Sequence, residues 1–499
     1  MSDLSQPTHH RPEDLGKPLP DSPHACSVTL PTWESIIGYE EKDPQVFNQL
    51  QTGYPRFVLH PIVAQLCSRV EAELGQPGER ALLFPCEEAA SRAGHFVLHQ
   101  NADAVVWISP TDYQDCHALL VQEQDFPHAF RYWQHTGEIL SSRQAESYLE
   151  GKAPEKSATE NQKSKIIRNR LAQLYGVPAD HIFLTSGGMA SLFLALRAVT
   201  ALHPGQETLH LEFPYVDLLK IQEQFSPGVR FYPCATGSAL EHALEWIESD
   251  TPPAAIFAEV PSNPLLRTLD LTDLQSRIAY RKSPLILDDT LTSVANLSLL
   301  PHADLVSTSL TKWFSGGGDV LAGSLIVNPA SPHADFFREF FANDSATPLH
   351  PLDAEVLEKN SRDFLERMHR ANESGQALAH FLRTHPAVEE VYYPDQSPSY
   401  QELMQPKGGF GGLLSFVLKD PQKTTPRFYD EIAWCKGPSL GTNFSLLSPY
   451  TQLAHYRELE WAEFCGVSRH LLRLSVGQEP QALLLQRLEE ALSSLNTAN

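Results

Sequence analysis

Ser307-Thr308-Ser309-Leu310-Thr311-Lys312-Trp313, followed by Phe314-Ser315-Gly316-Gly317-Gly318-Asp319, is the stretch from which the fold can be read. An apolar run that starts near Asp304 ends here in hydroxyls and a lysine, then enters a glycine cluster. That order describes a buried strand whose C-terminal end faces a ligand, the edge at which open α/β sheets place their sites. Lys312 then has two readings. It is an exposed strand-end lysine, or a buried amine kept for chemistry such as a Schiff base, since burying an ammonium is costly.

Leu285-Ile286-Leu287-Asp288-Asp289-Thr290 repeats the pattern upstream, with a carboxylate at the strand end. A carboxylate there suits a protonated ring nitrogen or a metal, and equally a helix N-cap or a solvated turn. Further upstream, Thr185-Ser186-Gly187-Gly188-Met189-Ala190-Ser191 lies between a strand and a helix. Two glycines at a helix N-terminus form a phosphate cradle or an ordinary glycine-rich turn. Jointly, a phosphate cradle, a ring-nitrogen acid and a lysine 24 residues beyond that acid are the parts that pyridoxal 5'-phosphate requires.

Short apolar runs at 181–184, 208–213, 254–260, 304–310 and 324–327 predict further strands, with helices at 165–175 and 189–200. Beyond Pro351 a helical segment runs to about Thr384, followed by strand candidates at 388–393 and 413–418. In the last helix Leu484, Leu488, Ala491 and Leu492 share one face. The predicted fold class is α/β, with a mostly parallel sheet in a large domain and a smaller C-terminal α/β domain. The predicted division is a disordered lead-in (1–25), a folded N-terminal extension (26–130), a large cofactor-binding domain (131–372) and a small domain (373–499). Residues 151–164, polar and lysine-rich, read as an exposed linker or loop.

Composition narrows the partners. The 499 residues hold 38 Lys+Arg against 61 Asp+Glu, a formal charge of −23, which argues against nucleic acid and anionic membranes. No apolar run approaches the roughly 18 to 20 residues of a membrane span, and the first ten residues hold no apolar signal core. Seven cysteines without CxxC spacing indicate neither a disulfide framework nor a zinc ribbon, and no metal site is expected. A soluble cytoplasmic protein is the expectation.

The chain resembles the Cys/Met-metabolism pyridoxal-phosphate enzymes of the cystathionine γ-synthase type, from about residue 130 to 495 and in family order. Ser309-Leu310-Thr311-Lys312 is similar to the family's Ser-x-Thr-Lys, which implies that Lys312 carries the cofactor and that Ser309 and Thr311 help bind its phosphate. Leu287-Asp288-Asp289-Thr290 resembles Val-Asp-Asn-Thr, implying that Asp288 pairs with the pyridinium nitrogen. Gly188-Met189 matches the phosphate turn, and Tyr215 of Phe213-Pro214-Tyr215 stands where the family stacks a tyrosine on the ring. Glu259-Val260-Pro261-Ser262-Asn263-Pro264 is similar to Glu-x-Pro-x-Asn-Pro, giving Asn263 a bond to the cofactor's 3′ oxygen. Ser439-Leu440-Gly441 and Arg473-Leu474-Ser475-Val476-Gly477 resemble the substrate blocks, with Arg473 holding the substrate α-carboxylate.

Two departures stand out. The family's N-terminal Tyr-x-Arg, which reaches a neighbouring subunit, has two candidates here: Tyr54-Pro55-Arg56, or the segment Trp133-Gln134-His135-Thr136-Gly137. Phe444 occupies a position where many relatives carry a glutamate. The long segment before residue 130, with Gly38-Tyr39-Glu40-Glu41 in it, resembles the long fungal form. It reads as a packing or oligomer-contact module, or as an allosteric one.

The resemblance implies a transferase with catalytic Lys312 and Tyr215, and with Ser439 and Arg473 binding substrate. The implied reaction joins an O-activated homoserine to cysteine, giving cystathionine, in a homo-oligomer (dimer or tetramer). A sulfhydrylase or γ-lyase of the same family is the alternative. A non-catalytic, cofactor-binding assembly or regulatory protein is the alternative from another class.

Overall fold

The computed structural model describes residues 9–113, 115–152, 161–278, 283–344 and 348–495. The centre of the expected linker (153–160) and the first eight residues of the expected lead-in lie outside the described residues.

Three sheets organise the chain. The first is antiparallel, in the order β1-β3-β2, from Glu79–Phe84 (β1), Val106–Pro110 (β2) and His117–Gln122 (β3). Its side chains alternate between two cores, as the pleat dictates. Leu82, Phe84, Leu119 and Val121 face the helix Glu87–Gln100 and the large domain. Leu83 and Ala118 face the helices Pro61–Leu74 and Ser142–Leu149.

The second sheet has seven strands: Ile182–Thr185 (β4), Thr208–Leu211 (β5), Val229–Tyr232 (β6), Ile256–Glu259 (β7), Leu285–Asp288 (β8), Leu305–Ser309 (β9) and Gly323–Val327 (β10). Their order is β4-β10-β9-β8-β7-β5-β6. Strands β5 to β9 pair in parallel, and β10 runs antiparallel to both of its neighbours, so β4 points the same way as β9. The sheet is therefore mostly parallel, as expected. Strands β7 and β8 are buried along their whole length, which is why they read as unbroken apolar runs rather than alternating ones. The strand β6 escaped the sequence reading because it is a half-buried edge strand carrying Arg230.

The third sheet, β11-β12-β15-β14-β13, belongs to the smaller domain: Val388–Tyr392 (β11), Leu413–Leu418 (β12), Cys435–Lys436 (β13), Leu446–Pro449 (β14) and Leu472–Ser475 (β15). The closing helix Gln481–Ser494 buries Leu484, Leu488, Ala491 and Leu492 against it. The single helix expected up to Thr384 is two, Pro351–Asn360 and Phe364–Thr384.

The N-terminal residues differ most from expectation. From residue 9 the lead-in is packed: Leu19 and Ala25 are each 1% exposed, and Pro18 bridges to Val28. Few apolar residues are present, Leu15 is only partly buried, and extended backbone rather than regular helix or strand hid Leu19 and Ala25 from a periodicity reading. Nor does the extension behave as one unit. Val28, Leu30, Ile36, Tyr39 and Val46 join the core of the C-terminal sheet. The fully buried Lys436 ammonium there donates to the carbonyls of Pro31 (3.0 Å) and Asp430 (2.8 Å). The N-terminal segment thus packs against the small domain.

Candidate active site

Because β4, β5, β7, β8 and β9 all point one way, their C-terminal ends meet at one edge, as parallel sheets require of a site. A cavity of about 840 Å³ opens there, and all ten residues singled out from the sequence line it. Lys312 follows β9 and lines the cavity, 9% exposed. Its Nζ donates to Ser439 Oγ at 2.8 Å and to the Tyr54 hydroxyl at 3.1 Å. Ser439 reaches the lysine from the small domain on a backbone with φ of +107°, a conformation that L residues rarely adopt and that collects at functional sites.

The two adjacent aspartates separate cleanly. Asp288 lines the cavity and accepts from the Thr290 backbone N–H at 2.9 Å. Asp289 turns into the core, where the hydroxyls of Tyr175 (2.7 Å) and Thr308 donate to it. Burial raises the Asp288 carboxyl to about 6 and the Asp289 carboxyl to about 7. Of the two aspartates, Asp288 is the one placed to meet a cation in the cavity.

At the opposite end, the helix Gly188–Leu202 begins without a side-chain cap, so the N–H groups of its first turn face the cavity. A Cβ on Gly188 would come within 2.6 Å of the Ser309 Cβ. Only a glycine admits so close an approach. Thr311 lines the wall, although its hydroxyl is already bonded to the Ala322 backbone. Arg473, on β15, donates to Asn263 Oδ1 at 2.9 Å and to the Ser439 carbonyl at 3.2 Å. Burial lowers its guanidinium's pKa, although Tyr450, Tyr54 and Glu259 act against that.

The two candidates for the N-terminal arm are both present, in one network. Tyr54 and Arg56 line the cavity, whereas Trp133 and His135 do not. Arg56 donates to the Tyr215 hydroxyl (2.7 Å), to the Gln134 carbonyl (2.9 Å) and to the Asp217 carboxylate (2.6 Å). Asp217 is 1% exposed and also pairs with His135 Nδ1 at 2.9 Å. Burial alone would raise the Asp217 carboxyl, but the charges of Arg56 and His135 hold it far below its usual range. Burial likewise pushes the Tyr54 phenol up, yet Lys312 and Arg56 outweigh it and bring the phenol below its ordinary value. Asp217 was not singled out from sequence, where a lone acid two residues after Tyr215 carries no signal.

These features fit pyridoxal phosphate. The glycine approach at Gly188 and the uncapped helix suit a phosphate, the raised Asp288 suits a ring cation, and Lys312 lies between them.

The comparisons agree. The chain matches the Cys/Met metabolism PLP-dependent enzyme family over residues 139–493 and the fungal trans-sulfuration enzyme N-terminal domain over 62–141. It is 32% identical to the cystathionine gamma-synthase of Neurospora crassa, over 96% of this chain and 98% of that one. It is also 32% identical to the L-2-amino-4-chloropent-4-enoate dechlorinase/desaturase of Streptantibioticus cattleyicolor, over 95% and 97%. Among solved structures, cystathionine gamma synthase from Xanthomonas oryzae pv. oryzae, in complex with aminoacrylate and cysteine, matches with a TM-score of 0.61. That match has 27% identity and covers 68% of this chain and 87% of the other. With the cavity, the fold and the family match in agreement, this chain belongs to the Cys/Met metabolism family of pyridoxal-phosphate-dependent enzymes.

Proposed function

We propose that this enzyme catalyses γ-replacement, joining an O-activated homoserine to cysteine to form cystathionine. One observation carries the proposal: the proton-handling groups Lys312 and Tyr54, 3.1 Å apart, share a buried cavity with the carboxylate-binding Arg473. The similarity to the Neurospora crassa synthase supports it.

Gly188, Met189, Ser309 and Thr311 would hold the cofactor's phosphate, Asp288 would meet its ring nitrogen and Asn263 its 3′ oxygen, and Tyr215 would meet its ring. When bound, pyridoxal phosphate supplies an electron sink for the substrate's Cα. Arg473 binds the substrate α-carboxylate and so fixes which Cα bond is presented for reaction. With the cofactor in place, Lys312 would be the base placed to take the Cα proton. Tyr54 and Tyr215 move protons at the incoming amine and thiol, and Ser439 orients the Lys312 amine. Overall, the γ-carbon loses its oxygen substituent with the C–O electron pair and gains the thiolate sulfur.

The enzyme further works as a cytoplasmic homo-oligomer, a dimer or tetramer. The division into extension (26–130), large domain (131–372) and small domain (373–499) belongs to the same proposal, amended by the packing of residues 28–46 on the small domain. The test compares initial rates on an O-acyl-homoserine with cysteine, with sulfide and with no thiol. Cystathionine formation with cysteine as the fastest reaction is expected. Faster sulfide use would make the enzyme a sulfhydrylase, and thiol-independent turnover a lyase. No turnover with cofactor bound would leave only a binding role.

A further inference from the structure

The sequence Gly38-Tyr39-Glu40-Glu41 has no task in the proposed reaction, yet it ends the helix Trp33–Glu41 beside the site. Glu40 faces a second chamber, about 480 Å³, that joins the catalytic cavity, with Tyr54, Tyr215, Ser439 and Arg473 lining both. Gly188 and Ser309 line the inner cavity alone, so the outer chamber lies on the substrate side of Lys312.

Glu40 is the one carboxylate on the wall of this chamber among the described residues. Its neighbour Glu41 is engaged by the Tyr456 hydroxyl at 2.6 Å. Glu40 makes no such bond among the described residues, where the charges of Arg457 and Lys42 act on it. Burial raises its carboxyl to about 8, so a cation bound beside it would restore its charge. The same wall holds a second unused polar group. Tyr450 is 3% exposed, and its hydroxyl has no hydrogen-bond partner among the described residues.

We infer that the outer chamber is the subsite for the second amino acid, a thiol-bearing zwitterion, and that Glu40 receives its ammonium group. The Tyr450 hydroxyl is the donor free for that amino acid's carboxylate. The inference rests on the proposed γ-replacement and adds to it a physical reason for choosing an amino-acid thiol over sulfide, which has no ammonium. An acid from the N-terminal extension thus sets the identity of the incoming nucleophile.

The experiment uses the full-length holoenzyme with Glu40→Gln, and Glu41→Gln as a control outside the chamber. Glu40→Gln is expected to raise the KM for cysteine about tenfold or more while the kinetics on sulfide change less than about twofold. Glu41→Gln leaves both unchanged. An unchanged cysteine KM in Glu40→Gln, or an equal loss with both thiols, overturns the inference. Titration calorimetry with cystathionine and with S-ethylhomocysteine, which lacks the second amino-acid head, separates this from failure of the proposed reaction. If the wild type joins neither thiol, the reaction is wrong, and binding alone decides the subsite. A preference for cystathionine that Glu40→Gln abolishes supports it, and equal binding of the two ligands overturns it.

Discussion

Lys312 and Tyr54, 258 residues apart in sequence, meet at 3.1 Å inside a single chain. The N-terminal segment therefore enters the cavity of the chain that carries the lysine. The family pattern, in which such an arm crosses to a neighbour, is not needed to build this wall. Mixed oligomers of Arg56→Ala and Lys312→Ala chains are accordingly expected to stay at background activity, because every site keeps one defect. Recovery of activity on mixing would show that the arms cross between subunits.

Asp217 joins the two candidate arm segments by accepting from Arg56 and His135, and its removal leaves the buried Arg56 guanidinium short of its counter-ion. Breaking a buried pair on one side costs about 3 to 5 kcal/mol. Asp217→Asn is therefore expected to lower thermal stability by an amount of that order at pH 7. Because the folded carboxyl's pKa is depressed, its contribution is complete above the unfolded value of about 3.9 and fades as the pH falls below it. The gap between wild type and variant should narrow in melts run toward pH 3. A gap independent of pH would remove the ion pair as its cause.

Gly188→Ala places a methyl carbon 2.6 Å from the Ser309 Cβ, at the head of the helix that faces the cavity. Overpacking of this kind costs about 1 to 3 kcal/mol. The cofactor's dissociation constant, read by equilibrium dialysis against the visible absorbance, should rise by about tenfold or more. Unaltered affinity would move the phosphate away from this helix.

Arg473→Lys keeps the charge but loses the two-pronged fork that suits a carboxylate. The KM for the homoserine ester should rise about tenfold or more, with the cofactor's absorbance unchanged. Equal loss of cofactor would mean that Arg473 serves the cofactor rather than the substrate.

What could be read in advance followed from local chemistry. Strands β7 and β8 announce themselves because burial on both faces makes their bodies apolar, and β7, β8 and β9 each deliver a polar residue, Glu259, Asp288 or Ser309, at the end. Lys312 stood out because a lysine after such a strand is costly without a use. Arg56 could be read only as one of two arm candidates, and Glu40 and Asp217 not as site residues, since Asp217 meets Arg56 from 161 residues away and much of Glu40's chamber comes from distant sequence. The packing of Leu19, Val28 and Leu30 was missed for a different reason: isolated apolar residues on extended backbone carry no period.

The central claim is that a carbon–oxygen bond at the γ-carbon is exchanged for a carbon–sulfur bond to cysteine. The most direct measurement supplies sulfur-labelled cysteine and an O-acyl-homoserine labelled with 18O at the γ-oxygen, and analyses the products by mass spectrometry. Cystathionine carrying the labelled sulfur is expected, with the 18O leaving in the released carboxylic acid. Cystathionine absent, with 2-oxobutanoate and ammonia in its place whether or not cysteine is present, would contradict that claim.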